Sequence, residues 1–231
     1  MMLRRFATPR LVFLGLSGLA LLAILTSGAP HSLSNAKATQ TFPDPVASLP
    51  TASGQQTAVF AGGCFWGMEG VFEHLKGVSN VVSGYAGGNA RDAEYERVGT
   101  GQTGHAEAVQ ITYDPSKISY GQLLKVYFSV AHDPTQVNGQ DPDFGSQYRS
   151  AIFFRDASQK QVAQAYIKQL SGAHVFKKAI ATQLSLLTQF YAAEDYHQNF
   201  LTRNPTYPYI VMFDMPKVKA LQKQFPELYK P

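Results

Sequence analysis

The sequence predicts an α/β (α+β) fold in which helices pack on one mixed β-sheet as a two-layer sandwich. After residue 57, strand-like alternation and helix-like periodicity of apolar residues take turns, in the order β-α-β, β-α-β, α-β. The chain has 231 residues, of which 45% are hydrophobic and 16% charged, enough for one sizeable core. We therefore expect a ferredoxin-like core that carries long loops.

The strands are expected where apolar residues alternate between turn signals such as Asp114-Pro115. In chain order they are TAVFAG (57–62), VSNVVSGYAGG (78–88), HAEAVQITYDP (105–115), YRSAIFFRD (148–156) and TQLSLLTQFYAAE (182–194). Helices are expected where apolar residues recur at helical spacing, as in Cys64 to Lys76 before the helix stop at Gly77. The others are 119–132, 157–172 and a short helix near 195–201. Long polar loops at 87–104 and 133–147 exceed the usual loop length, which favours a functional role.

The N-terminal region has a different composition. Residues 1–29 join a basic start to an apolar run from Leu11 to Leu25, which predicts a signal peptide or signal anchor and an exported protein. Residues 30–56 are rich in Ser, Thr, Ala, Pro and Gln and are interpreted as a flexible linker. The folded domain is expected over 57–215 and a C-terminal tail over 216–231.

The charge of the chain argues against a nucleic-acid partner. The formal net charge is +4, but three of the 20 basic residues are Arg4, Arg5 and Arg10. Residues 30–231 therefore hold 17 basic against 16 acidic residues, which provides no clustered basic face. The histidines are scattered without ligand spacing, so we expect no metal.

The single cysteine, Cys64, has two interpretations. It is a buried apolar filler, the common role of a free cysteine, or a nucleophile. Gly62 and Gly63 separate a strand from a helix, so Cys64 is expected at a helix N-terminus, where backbone N–H groups lower a thiol pKa. The neighbouring Phe65 and Trp66 either pack in the core or wall a small apolar pocket.

The stretch GCFWGMEG at 63–70 resembles the active-site motif of the type A peptide methionine sulfoxide reductases. Further motifs follow in the order of that family: GYAGG at 84–88, YERV at 95–98, TGHAE at 103–107, YDP at 113–115, HDPT at 132–135, DFGSQYRS at 143–150 and YHQ at 196–198. The resemblance covers roughly residues 57–205, and the ordered set is highly specific.

The resemblance implies a role for each matching side chain. Cys64 is the nucleophile that attacks the sulfoxide sulfur and becomes a sulfenic acid. Glu107 is the general acid, and strand alternation places it on the face of Val109 and Ile111, which predicts a buried carboxyl with a raised pKa. The remaining roles are hydroxyl donors to the sulfoxide oxygen (Tyr95, Tyr148), a supporting carboxylate (Asp143), walls of the methyl pocket (Phe65, Trp66) and a packing or supporting histidine (His197).

The chain departs from many members of the family in having no further cysteine near its C-terminus. The resemblance then implies that the sulfenic acid is cleared by an external thiol, which is thioredoxin, glutaredoxin, glutathione or another small thiol. We expect no bound cofactor, contact with the membrane only through an N-terminal anchor, and a monomer.

Three other functions remain open at this point. A cysteine hydrolase would pair Cys64 with His105 or His197 as base. A thiol peroxidase would form the same sulfenic acid from a peroxide. A binding module would recognise oxidised methionine without turnover.

Overall fold

The computed structural model describes residues 42–49 and 53–231, so the predicted signal segment at 1–29 lies outside the described residues. The strands are β1 (Gln56–Ala61), β2 (Val78–Ala86), β3 (Ala106–Tyr113), β4 (Gly139–Gln140), β5 (Asp143–Phe144), β6 (Ala151–Phe154), β7 (Gln183–Leu186) and β8 (Phe190–Ala192). The α-helices are α1 (Phe65–Glu73), α2 (Tyr95–Val98), α3 (Tyr120–Val126), α4 (Ala157–Gly172), α5 (Phe200–Arg203) and α6 (Met215–Gln224). Two π-helical segments, Tyr127–Ala131 and Ile210–Asp214, follow α3 and precede α6. No helix of the described part is long and apolar enough to cross a membrane.

A six-stranded mixed sheet organises the domain, with the strand order β7-β6-β1-β3-β2-β8. Neighbours are antiparallel except β6 and β7, which run parallel on either side of α4. The four central strands β6-β1-β3-β2, with α1 and α3 as their crossovers, form the predicted ferredoxin-like core. Strands β7 and β8 extend this core at its two edges.

The strand predicted over 182–194 is wrong in one respect, because it is two strands. The first, β7, pairs with β6, and the second, β8, pairs with β2 at the opposite edge of the sheet. Leu187 still bonds its N–H to the Phe154 carbonyl before the chain leaves that edge. The two strands thus lie at opposite edges of the sheet. An apolar pattern alone does not show which edge a residue joins, so it predicts one continuous strand.

The two faces of the sheet differ in the size of their side chains. The helix-covered face contains the main core, to which β1, β3 and α1 contribute Phe60, Ile111 and Phe72, all fully buried. The opposite face is lined mainly by alanines of β1, β2, β3 and β6 together with Val59 and Phe153. Because β3 alternates between these faces, Glu107 points to the helix side, as its spacing from Val109 predicts.

Part of the predicted flexible linker is held on the domain. Phe42 packs edge-on against Phe176 at 5.7 Å between ring centroids, and the Pro43 carbonyl accepts a hydrogen bond of 2.9 Å from the Tyr166 hydroxyl. The side chain of Gln169 on α4 also bonds the backbone of 44–46. These apolar and backbone contacts make residues 42–49 part of the folded unit instead of a free linker.

The predicted C-terminal tail is also folded. Helix α6 begins at Met215 and buries Val218 and Leu221, and Phe225 after it is buried too. The last residues continue along α1, where the Lys230 N–H donates to the His74 carbonyl. The boundary at 215 thus falls at the start of a helix that packs on the core.

Candidate active site

Cys64 lies at the turn between β1 and α1, and the two positions before it accept only glycine. Gly63 has a φ of +91°, and a Cβ there would lie 2.6 Å from Cγ of Gln140. A Cβ on Gly62 would lie 2.8 Å from the ring of His132. Cys64 itself is the N-cap residue of α1 and is 9% exposed. The structure therefore places Cys64 at a helix N-terminus, as predicted.

Glu107 reaches the same helix N-terminus from β3. The N–H of Phe65, next in the chain to Cys64, donates a hydrogen bond of 3.0 Å to Oε2 of Glu107. The carboxyl is 3% exposed, and this burial, against the opposing Phe65 hydrogen bond, raises the pKa of Glu107 to about 8. At neutral pH the buried carboxyl therefore holds a proton beside Cys64.

The pKa of Cys64 is raised, contrary to the expectation drawn from its place at a helix end. Burial is the largest cause, and the negative charges of Glu107 and Asp214 add to it. The Trp66 backbone N–H bonds the sulfur and Lys217 lies near it, but both opposing effects are smaller. Desolvation in a site with several acidic groups outweighs the helix N-terminus, so the resting thiol is protonated.

Tyr95 begins α2 within the first long loop, and Tyr148 ends a short 3-10 helix directly after the second. Both tyrosines stay protonated. Burial and then the charge of Glu107 raise the pKa of Tyr95 to about 12 and also raise the pKa of Tyr148. The loops are tied together, because Ser146 Oγ donates to the Gly101 carbonyl at 2.7 Å. Tyr95 is held by its N–H, which donates to Glu194 at 2.9 Å.

An aromatic pocket is built around Trp66. Its indole ring stacks on Phe200 with centroids 3.8 Å apart, and its Nε1–H donates to Nδ1 of His197 at 3.1 Å. The His197 ring in turn lies 4.9 Å from Phe65 and 4.3 Å from Tyr95. Phe65 is buried whereas Trp66 is partly exposed, so Trp66 forms the wall nearer the solvent. His197 is a supporting residue that fixes the indole.

Sequence reasoning missed Tyr209, which comes from the segment before α6. Its hydroxyl donates a short hydrogen bond to Oδ2 of Asp143, and its ring stands edge-on to Trp66 at 6.0 Å. It therefore joins Asp143 to the aromatic pocket. Tyr209 directly follows Pro208 in the stretch NPTYPY at 204–209, which carries no periodic signal that would have identified it.

Two further charged residues of this region, Asp214 and Lys217, also went unnoticed. Their ion pair, with Nζ and Oδ1 3.1 Å apart, lies against Gly67 in the first turn of α1. No sequence pattern identified them.

The ring nitrogens of the histidines proposed for a cysteine hydrolase have other partners, except Nε2 of His197, which has none among the described residues. The two ring nitrogens of His105 face the Gly88 N–H and the Asn89 carbonyl, at 3.2 and 3.0 Å. Nδ1 of His197 accepts from the indole of Trp66. A carboxyl acid, not a histidine base, is thus what the site presents to the thiol.

Comparisons with known proteins agree with this geometry. Residues 56–229 match the family model described as peptide methionine sulfoxide reductase. The chain is 63% identical to a peptide methionine sulfoxide reductase MsrA 2 of Mesorhizobium japonicum over 77% of this chain and 91% of that protein. It is 52% identical to a protein of the same name from Synechocystis, over 82% and 90%.

Solved structures show the same fold. The reduced form of Mxr1 from Saccharomyces cerevisiae has a TM-score of 0.59 at 32% identity, over 66% of this chain and 87% of that chain. Methionine sulfoxide reductase A of Corynebacterium diphtheriae has a TM-score of 0.56 at 32% identity, over 76% and 92%. The chain belongs to the peptide methionine sulfoxide reductase A family.

Proposed function

We propose that the protein reduces methionine S-sulfoxide, free or in proteins, with Cys64 as nucleophile and Glu107 as general acid, and so repairs oxidised proteins. One observation supports this most strongly. The buried carboxyl of Glu107 is bonded to the amide beside Cys64, and its pKa is raised to about 8. A proton donor of this kind suits the oxygen that leaves a sulfoxide.

The reaction exchanges one oxygen atom between two sulfurs. The sulfur of Cys64 attacks the sulfoxide sulfur while Glu107 gives its proton to the sulfoxide oxygen. The attack forms a bond between the two sulfurs and leaves a hydroxyl group on the former sulfoxide sulfur. This hydroxyl then moves to the sulfur of Cys64 as the bond between the sulfurs breaks, so the sulfoxide is reduced by two electrons to the sulfide. Cys64 is oxidised by two electrons and keeps the oxygen as a sulfenic acid, and the former thiol proton restores the acid form of Glu107.

The two phenols stabilise the oxygen as it gains charge. Tyr95 and Tyr148 remain protonated at neutral pH because their pKa values are raised, so each can donate an O–H to the sulfoxide oxygen. Asp143 supports the site through its hydrogen bond from Tyr209. Phe65 and Trp66 bind the methyl group on sulfur, which selects against a group one methylene larger by about 1 to 3 kcal/mol.

Recycling needs an external reductant, because the chain has one cysteine in all. One thiol condenses with the sulfenic acid and releases water, and a second thiol then frees Cys64 as the disulfide leaves. We propose thioredoxin as this reductant, with glutaredoxin and glutathione as the alternatives. We further propose a monomer that is exported or anchored in the membrane through its N-terminal segment, a location that rests on the basic and apolar composition of residues 1–29.

The experiment compares the two epimers of methionine sulfoxide with wild-type protein and Cys64→Ser, in the presence of dithiothreitol. We expect turnover of the S epimer by the wild type alone. Equal turnover of both epimers, or activity in Cys64→Ser, would refute the proposal. Peroxide consumption without reduction of the sulfoxide would favour a thiol peroxidase instead.

A further inference from the structure

The ion pair of Asp214 and Lys217 joins positions i and i+3 of one helical stretch and also reaches a second helix, α1. Asp214 is the N-cap residue of α6, yet its side chain makes no capping hydrogen bond. Lys217 lies three residues further along, and the π-helical segment Ile210–Asp214 runs directly into α6 at this point. Both side chains also lie against Gly67 of α1, so the pair connects α6 to the helix that begins at the nucleophile.

The pair is also costly to hold where it lies. Asp214 is fully buried, and its Oδ2 has no hydrogen-bond partner among the described residues. The side chain of Lys217 is 19% exposed. Taking two charges out of water this far costs about as much as their attraction returns, so a buried ion pair is weak evidence for a stabilising role.

The two charges touch the helix turn that carries the nucleophile. A Cβ on Gly67 would lie 2.1 Å from Oδ1 of Asp214 and 2.9 Å from Nζ of Lys217. Gly67 is therefore the gap through which the pair reaches the first turn of α1, three residues after Cys64. The ammonium group of Lys217 thus lies near a site that contains several acidic side chains.

The charges act on Cys64 in opposite directions. The carboxylate of Asp214 raises the pKa of the Cys64 thiol, and the ammonium of Lys217 lowers it. The other titratable groups that face Cys64 or the pair are Glu107, Asp143, Tyr95, Tyr148, Tyr209 and His132. The carboxyls among them favour the neutral thiol, the tyrosines are neutral and burial lowers the pKa of His132 to about 3, so Lys217 is the cation among these groups.

We infer that Asp214 and Lys217 are positioning residues that set the reactivity of Cys64, with Lys217 favouring the thiolate and Asp214 holding Lys217 in place while limiting its effect. This inference deepens the proposed function, since it concerns the same nucleophile. It assigns a role in the site to the helix that follows the catalytic motifs. The role is electrostatic, and neither residue needs to contact the sulfoxide.

The experiment is a pH titration of the Cys64 thiolate by its ultraviolet absorbance, taken as the difference from Cys64→Ser. Lys217→Met should move the midpoint up by about one pH unit and Asp214→Asn should move it down, since a neighbouring charge acts on a thiol in this range. The double variant should lie between them, and Lys217→Arg should restore the wild-type midpoint. Lys219→Met is the matched control, because Lys219 lies on the same helix and is exposed.

Midpoints that do not move, or that move in the same direction in both single variants, would overturn the inference, because an ion pair that only stabilises the fold predicts no opposed shifts. If Lys217→Met does not fold, Lys217→Gln tests the ammonium in its place, and the downward shift in Asp214→Asn still tests the carboxylate. The titration uses neither sulfoxide nor reductant. Its failure would therefore leave the reductase proposal intact, and loss of that proposal would leave the titration valid.

Discussion

Cys64 and Glu107 are two buried acidic groups, and ionisation of Glu107 disfavours ionisation of Cys64. The charge of Glu107 raises the pKa of Cys64, and burial raises the pKa of both. At neutral pH the resting pair is therefore a thiol and a carboxylic acid, and the neutral form of Glu107 both supplies the proton and places no negative charge beside Cys64. The chemistry of the site thus follows from the two residues together.

The first prediction concerns pH. Because the pKa of Glu107 is raised, its acid form is present below that pKa and is lost as pH rises through about 8. We expect the rate of sulfoxide reduction in a single turnover to fall over that range. Glu107→Gln, which cannot donate the proton, should lower the rate about 100-fold or more and remove the alkaline fall. A variant rate equal to that of the wild type at pH 7 would contradict the role of Glu107.

The second prediction concerns Tyr209. Tyr209→Phe removes the hydroxyl that bonds Asp143 but keeps the ring beside Trp66. Loss of one hydrogen bond of about 1 kcal/mol should lower kcat/KM about fivefold. The matched control is Tyr207→Phe, because the Tyr207 ring also stands edge-on to Trp66 while the residue is about half exposed. Equal losses in the two variants would show that the hydroxyl of Tyr209 has no special part.

Residue roles were predictable where a motif or an alternation marks them, as for Cys64 and for the buried face of Glu107. Tyr209, Asp214 and Lys217 were not predictable, because they reach the site by long-range packing of the C-terminal segment. Their neighbours Pro208 and Pro216 interrupt any periodic pattern there. The pKa of Cys64 was predicted in the wrong direction, because burial and acidic neighbours cannot be read from a local sequence.

At the scale of elements, the strand-to-helix turn and the two π-helical segments shape the site. Single π-helical turns are uncommon and often occur at functional sites. Here one of them, Ile210–Asp214, follows Tyr209 and ends at Asp214. Helix α4 has the bounds that its periodicity predicts, whereas sequence periodicity did not indicate either π-helical segment. Regular elements with a clean apolar pattern were thus predictable, and irregular ones were not.

The third prediction tests the turn before Cys64. Gly63→Ala should lower the free energy of unfolding by about 1 to 3 kcal/mol, since an alanine at a φ of +91° is strained and its Cβ meets Gln140. Urea denaturation measures this change. Gly172→Ala is the control, because Gly172 has open space around its Cα and should be neutral or stabilising. A Gly63→Ala protein as stable as the control would contradict the account of the turn.

For the whole molecule, the segment after 203 closes the domain around α1 and supplies part of the site. The ferredoxin-like core and the order of its elements are predictable from the sequence, because they follow from alternating patterns. The sequence of residues 216–231 instead predicts a tail, because helix α6 carries only a few apolar side chains. Those side chains are nevertheless buried, and tertiary packing decided their structure.

The fourth prediction tests that closure. Leu221→Ala should lower the free energy of unfolding by about 2 to 5 kcal/mol, because Leu221 is fully buried in the main core. Lys223→Ala on the exposed side of the same helix should change it by less than about 0.5 kcal/mol. Similar small changes in both variants would mean that α6 is not part of the cooperative fold.

Cys64 is the residue that takes up the sulfoxide oxygen, and one measurement tests this most directly. The fully reduced protein is mixed with excess methionine S-sulfoxide without any reductant, and methionine and the mass of the protein are measured. The account predicts one methionine per chain and one oxygen atom on Cys64, which dimedone traps as a sulfenic acid. Methionine formed without oxygen on Cys64, or formed equally by Cys64→Ser, would contradict it.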